Sequence, residues 1–98
     1  MPEKTESFDA NVGERAAHLR HLLSLSQSEV AEKLNVTRQT LANYESGKTP
    51  MRAFIIRQLC DIYQCSPDWI LGVTDILEIY RTTDNGRKIK LYETSPKI

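Results

Sequence analysis

Between Ser26 and Gly47 the chain starts a helix, stops it, then starts and stops another, each time with a residue whose chemistry suits the job. Ser26-Gln27-Ser28-Glu29 has the form of a capping box, in which the Ser hydroxyl and the Glu carboxylate satisfy each other's free backbone N–H groups. Val30, Ala31 and Leu34 follow on one arc of a helix at 100° per residue. Asn35 tolerates a left-handed backbone and permits a tight turn. Thr37 is then a suitable N-cap for a second helix, Arg38 to Ser46, which Gly47 ends. Two short helices so closely joined must cross steeply. That geometry needs a small residue at the crossing and apolar wedges around it. Ala31 supplies the first, and Val30, Leu34, Val36, Leu41 and Tyr44 the second.

The flanks extend this helical pattern. Val12, Ala16, Leu19, Leu22 and Leu23 share a face, with Asn11 and Glu14 placed as cap and partner, so a first helix is expected from about Val12 to Ser24. Thr49-Pro50 reads as the first turn of a fourth helix carrying Phe54, Ile55, Ile56, Leu59, Ile62 and Tyr63. Ser66-Pro67-Asp68 repeats the signal for a short fifth helix closed by Gly72. After Gly72 the period changes to two. Ile79–Thr83 and Arg87–Tyr92 alternate around Asp84-Asn85-Gly86, which is a hairpin signature. A two-residue turn would set Arg81 against Lys90, an unfavourable like-charge pair. A three-residue loop with Gly86 left-handed avoids this and sets Ile79 opposite Leu91. The expected fold is mostly α, a five-helix domain over 12–72 with a C-terminal β-hairpin over 73–98, preceded by a flexible acidic arm over 1–11. An isolated hairpin is marginal in water, so this one needs its own helices or a second subunit to pack on.

The remaining 98-residue composition mainly excludes. A chain this short buries only about 60% of its unfolded surface, which disfavours a deep catalytic pocket. There is no Gly-rich phosphate loop and no nucleophile and base at telling spacing, so an enzyme is not expected. Cys60, Cys65, His18 and His21 lack the spacing of a metal site, so neither metal nor cofactor is expected, and both cysteines read as reduced with Cys60 in the core. No apolar run reaches the roughly 20 residues needed to span a bilayer, and the N-terminus lacks the order of a secretion signal. A cytoplasmic protein is expected. Thirteen basic and thirteen acidic side chains cancel, so bulk charge does not suggest nucleic acid. Resolved along the chain, however, 1–11 carries net minus two, and 12–72 and 73–98 plus one each. From Thr37 to Arg57, four bases face Glu45 alone.

The second short helix has two distinct faces. With Arg38 at zero, Ala42, Ser46, Gln39 and Asn43 fall at about 40°, 80°, 100° and 140°, while Leu41 and Tyr44 fall at about 300° and 240°. Arginine can fork to guanine, Gln and Asn can pair bidentately with adenine, and a small residue permits close approach in a major groove. A solvated polar face is the commoner explanation for an arbitrary surface helix. The preceding helix and turn shift the balance toward a reading face.

On the residues LSQSEVAEKLNVTRQTLANYESGKTP and CSPDWILG, the chain resembles the phage-repressor and Cro type of helix-turn-helix domain, the Xre family. The resemblance spans Val12 to Gly72 and departs at Asn35, where the family usually has Gly. It implies that Arg38, Gln39, Thr40 and Asn43 face bases. Gln27, Thr37, Ser46 and Lys48 would contact phosphates, with Gln27 also bracing the first base reader. It further implies a structural ion pair between Arg20 and Glu45. The expected function is a sequence-specific transcriptional regulator of double-stranded DNA, a repressor acting as a homodimer on a two-fold operator. The hairpin residues Ile79, Ile89, Leu91 and Tyr92 would make the dimer. The alternative is an antitoxin or anti-repressor whose C-terminal tail binds a partner protein.

Overall fold

A computed structural model describes residues 7–94. Five helices, α1 (Phe8–Leu22), α2 (Gln27–Leu34), α3 (Arg38–Ser46), α4 (Ala53–Tyr63) and α5 (Pro67–Ile70), precede an antiparallel hairpin of β1 (Leu77–Thr82) and β2 (Lys88–Thr94). Helices this short are marginal alone and depend on tertiary packing. They converge on a core in which Leu19, Val30, Leu41, Leu59, Tyr63, Ile70 and Leu77 are completely enclosed.

Helix α1 starts earlier than the periodicity predicts. Its cap is Ser7, whose hydroxyl accepts from Ala10 N–H at 3.1 Å, and not Asn11. Residues 8–11 are therefore helix rather than arm, while 1–6 lie outside the described residues. The cause is a contact with a distant segment. A Cβ placed on Gly47 would lie 2.6 Å from the Ala10 Cα, so the first turn of α1 rests on the backbone ending α3. Helix α4 starts later than predicted, at Ala53, with Arg52 as an N-cap that offers no side-chain bond. Thr49 N–H is already donated to Asn43 O at 3.1 Å, so Thr49-Pro50 completes the exit from α3.

In the hairpin, Thr83 N–H donates to Arg87 O at 2.7 Å and Gly86 N–H to Thr83 O at 2.9 Å, with Gly86 at φ +83°. This is the three-residue loop, and Arg81 faces Ile89. Farther from the turn the expected pairing fails. A bulge between Ile79 and Tyr80 sets Ile79 opposite Tyr92, leaving Leu91 as the extra residue. Residues three apart on a regular strand point to opposite faces, but the extra residue lets Lys90 and Glu93 meet at 3.2 Å while Lys90 also reaches Glu78 at 3.2 Å.

Strand β1 docks on the helices through Leu77 and Ile79, with Ile79 bridging to the backbone of Cys65 and Tyr80 N–H donating to Gln64 O at 2.9 Å. This corrects the expectation for Ile79 as a dimer contact. At 4% exposure it belongs to the core of its own chain, because alternation along β1 turns it inward with Leu77. Strand β2 lies on the outside of β1.

Candidate nucleic-acid interface

The turn between α2 and α3 is closed by backbone. Asn35 takes the left-handed conformation at φ 63°, and Val36 N–H donates to Ala31 O at 3.0 Å. Ala31 is buried next to the turn, and Leu41 anchors α3 in the same core. The capping box at Ser26 is complete: Glu29 N–H donates to the Ser26 hydroxyl at 3.0 Å and Ser26 N–H to the Glu29 carboxylate at 2.7 Å. The Ser26 backbone N–H first, and then its hydroxyl, hold the Glu29 carboxyl below the usual range.

Helix α3 is aimed by a chain of charged and polar side chains. Arg20 on α1 binds Glu45 with two bonds, Nε to Oε2 at 2.8 Å and Nη2 to Oε1 at 3.1 Å, with only 9% and 6% of the two side chains exposed. Arg20 Nη1 also donates to Leu25 O at 3.0 Å. The Glu45 bond is the largest cause holding the Arg20 pKa above its ordinary value. From Glu45 the chain runs outward. Gln27 Nε2 donates to Glu45 Oε1 at 3.0 Å, and Arg38 Nη1 donates to Gln27 Oε1 at 2.9 Å. The amide is thus oriented with its NH2 toward the carboxylate and its oxygen toward the guanidinium, the arrangement its donor and acceptor inventory favours.

Arg38 and Gln39 are exposed, and Thr40 and Asn43 are half-buried beside them. Gln39 Nε2 donates to Asn43 Oδ1 at 3.0 Å, one turn along the helix. Thr37 accepts from Thr40 N–H at 3.0 Å, and the two hydroxyls lie 2.8 Å apart. At the other end the Ser46 hydroxyl donates to Asn43 O at 3.2 Å, and Lys48 is exposed. Since Glu45 is turned inward and paired with Arg20, its charge does not offset the exposed Arg38, Lys48, Arg52 and Arg57. Ile89, Leu91 and Tyr92 lie apart from this face, exposed on β2.

Sequence reasoning missed two contacts that α1 makes. A Cβ on Gly13 would lie 2.6 Å from Glu45 O and closer still to Tyr44 O, so α1 meets the α3 backbone directly there. A glycine inside an otherwise helical pattern was the available signal. Arg15 stacks over Trp69 at 4.7 Å and donates to Trp69 O at 2.6 Å and to Asp75 at 3.3 Å, tying α1 to the segment leading into the hairpin. No local pattern announces that contact.

A family model described as Helix-turn-helix matches residues 18–70. The HTH-type transcriptional regulator ImmR of Bacillus subtilis is 30% identical over 66 residues, covering 67% of this chain and 52% of that protein. An uncharacterized HTH-type transcriptional regulator, YobD, of the same organism is 34% identical over 64 residues, covering 63% and 55%. The chain thus spans about half the length of the curated relatives it matches. The crystal structure of the clp gene regulator ClgR from C. glutamicum superposes with a TM-score of 0.66 over 69% of this chain and 88% of that one, at 18% identity, a likeness of fold.

Proposed function

The chain belongs to the Xre-type helix-turn-helix family, and from that premise we propose that it is a sequence-specific DNA-binding transcriptional regulator, a repressor acting as a homodimer on a two-fold operator. The observation that carries this reading is the chain of bonds from Arg20 through Glu45 and Gln27 to Arg38. It fixes a polar helix face before any ligand arrives, and preorganised groups lose less freedom on binding. Arg38, Gln39, Thr40 and Asn43 read base edges in the major groove. Thr37, Ser46, Lys48 and the N-terminal turn of α2 with Gln27 contact phosphates. Two copies would present α3 to successive major grooves about 34 Å apart. Ile89, Leu91 and Tyr92 of β2 contribute the dimer contact. Among the described residues no helix is long and apolar enough to cross a membrane, which is compatible with action on DNA in the cytoplasm.

Enrichment of bound duplexes from a random pool, followed by gel shifts, tests this. A two-fold site is expected. Arg38→Ala or Gln39→Ala should lose about 1–3 kcal/mol of discrimination at particular base pairs, while Lys48→Ala weakens all sequences evenly. Uniform, sequence-blind binding by the unaltered protein would sink the proposal.

A second reading rests on β2, whose Ile89 and Leu91 side chains are exposed at the outer strand of the sheet. An antitoxin or anti-repressor would use that strand to hold an unrelated chain by sheet augmentation. Stoichiometric co-purification of such a chain with the native protein favours this reading; a homodimer alone favours the first.

A further inference from the structure

Cys60 and Cys65 stand on either side of the end of α4. Were the helix to continue, residues five apart would point about 140° away from each other. Instead Gln64 takes a left-handed conformation at φ 56°, and the N–H groups of Gln64 and Cys65 both turn back to the Cys60 carbonyl, the latter at 3.1 Å. A reversal of this type folds the residue after the cap against the last helical turn, where a side-chain contact commonly forms. Here the two side chains are thiols.

Both cysteines are free, Cys60 buried and Cys65 half-buried. Both line the same two surface hollows. One, of about 600 Å³, lies between α4 and α5 with Ala53, Ile56 and Leu71 in its walls. The other, of about 270 Å³, has Tyr80 and Lys88 of the hairpin opposite the cysteines. Both hollows thus bring solvent up to walls that the two cysteines share. The neighbouring Cys65 draws the Cys60 thiol below its ordinary pKa, and the Cys65 thiol is pushed up by Cys60 and by burial. A thiolate is the form that attacks a peroxide and a second cysteine close by in the chain is what resolves the product, so the pair has the two parts that thiol oxidation requires.

We propose that Cys60 and Cys65 form a reversible dithiol site that a hydroperoxide converts to an intrachain disulfide. The Cys60 thiolate attacks the peroxide: an S–O bond forms, the O–O bond breaks, and the departing oxygen takes up a proton to leave as water or alcohol. Cys65 sulfur then attacks the sulfenic acid: the S–S bond forms, the S–O bond breaks, and water leaves with the Cys65 proton. Two thiols lose two electrons and the peroxide gains them. A thiol reductant reverses the step by exchange.

The backbone beside Cys65 is the backbone that carries β1. Cys65 bridges to Ile79, and Gln64 O accepts from Tyr80 N–H at 2.9 Å. A bond between sulfurs 60 and 65 constrains the backbone at 64 and 65, and through it the strand that hangs on those residues. Oxidation therefore alters how the hairpin docks on the helices. Any consequence for dimerisation rests on the reading of β2 given above, but the site itself does not.

The test uses the full chain, reduced and then exposed to hydrogen peroxide, quenched with an alkylating agent, and read by intact mass and peptide mapping. Both cysteines fall between Arg57 and Arg81 with no Lys or Arg between, so one tryptic peptide reports the pair. That peptide should lose two hydrogens and resist alkylation, and dithiothreitol should restore both thiols. Closure should outpace cross-linking between chains by about tenfold or more, because the two cysteines are held at the same end of one helix. Cys65→Ser should stop at a sulfenic acid on Cys60 that a dimedone probe captures. Hydrogen exchange at Tyr80 N–H should differ between the two forms. Intact, fully alkylated thiols, or disulfides only between chains, would overturn the site, and an unchanged Tyr80 would overturn its link to the hairpin. Operator binding is measured separately, so failure of the DNA reading leaves the thiol result standing.

Discussion

The helical part of the chain and the hairpin place their apolar side chains differently. Over α1 to α5 the periodic faces meet in a shared core, and even backbone meets backbone where Gly13 and Gly47 leave room. In the hairpin only β1 takes part, through Leu77 and Ile79, while Ile89, Leu91 and Tyr92 on β2 remain 39%, 58% and 38% exposed. The helices fix the position of α3 from several sides at once. The hairpin is attached along one strand and presents the other. On the proposed function, the helix that reads DNA has the first kind of support and the strand offered to another chain has the second.

Substitutions can break or sharpen that contrast. The largest effect is expected from Glu45→Ala, which leaves the Arg20 guanidinium buried without its anion and should cost about 3–5 kcal/mol, read by denaturant unfolding. Ile79→Ala should cost about 2–5 kcal/mol as a core truncation, whereas Leu91→Ala should stay within about 0.5 kcal/mol for the monomer. Equal costs for the two would erase the distinction between the strands. Gly13→Ala should cost about 1–3 kcal/mol through overpacking against the end of α3. Its loss of DNA binding should follow its loss of folded protein in a thermal melt; a normal melting temperature would mean that α1 can retreat from α3.

The smallest effects are expected from two carboxylates at the surface, one in each region. Glu29 is held below its ordinary pKa by the Ser26 backbone and hydroxyl, and Glu78 by the Tyr80 hydroxyl and then Lys90. For a lowered folded pKa, the contribution to stability is fully present above the unfolded value, about 4.3, and is lost as pH falls through the folded value. NMR titration of both side chains checks this, together with the acid limb of stability in Glu29→Gln and Glu78→Gln, each of which should be flatter than in the unaltered chain.

Much of the site was legible because its signals are local. A Ser with Glu three residues on, an Asn able to turn left-handed, and a Thr ahead of a polar and apolar alternation at helical period act within one or two turns of backbone. The two faces of α3 follow from the same periodicity. The hairpin loop was legible for that reason too, since Gly86 and the charges of Arg81 and Lys90 select among a few turn lengths. What was misread depends on segments far apart in the chain. Asn11 looked like a cap because nothing in its neighbourhood shows that Ala10 will rest on Gly47. Thr49-Pro50 looked like a helix start because its N–H is spent on Asn43 only once α3 has formed. Ile79 looked available because alternation tells which residues share a face, not what that face meets.

By itself, the sequence determined where helices α2 and α3 begin and end, the turn between them, and which side chains α3 turns outward, since each depends on backbone hydrogen bonding within reach of the residue concerned. Only the tertiary structure decided where α1 starts, how Gln27 links Glu45 to Arg38, that β1 belongs to the core while β2 does not, and that Cys60 and Cys65 line the same two hollows at the end of α4. Those outcomes are contacts through space, and their partners are chosen by packing rather than by position in the chain.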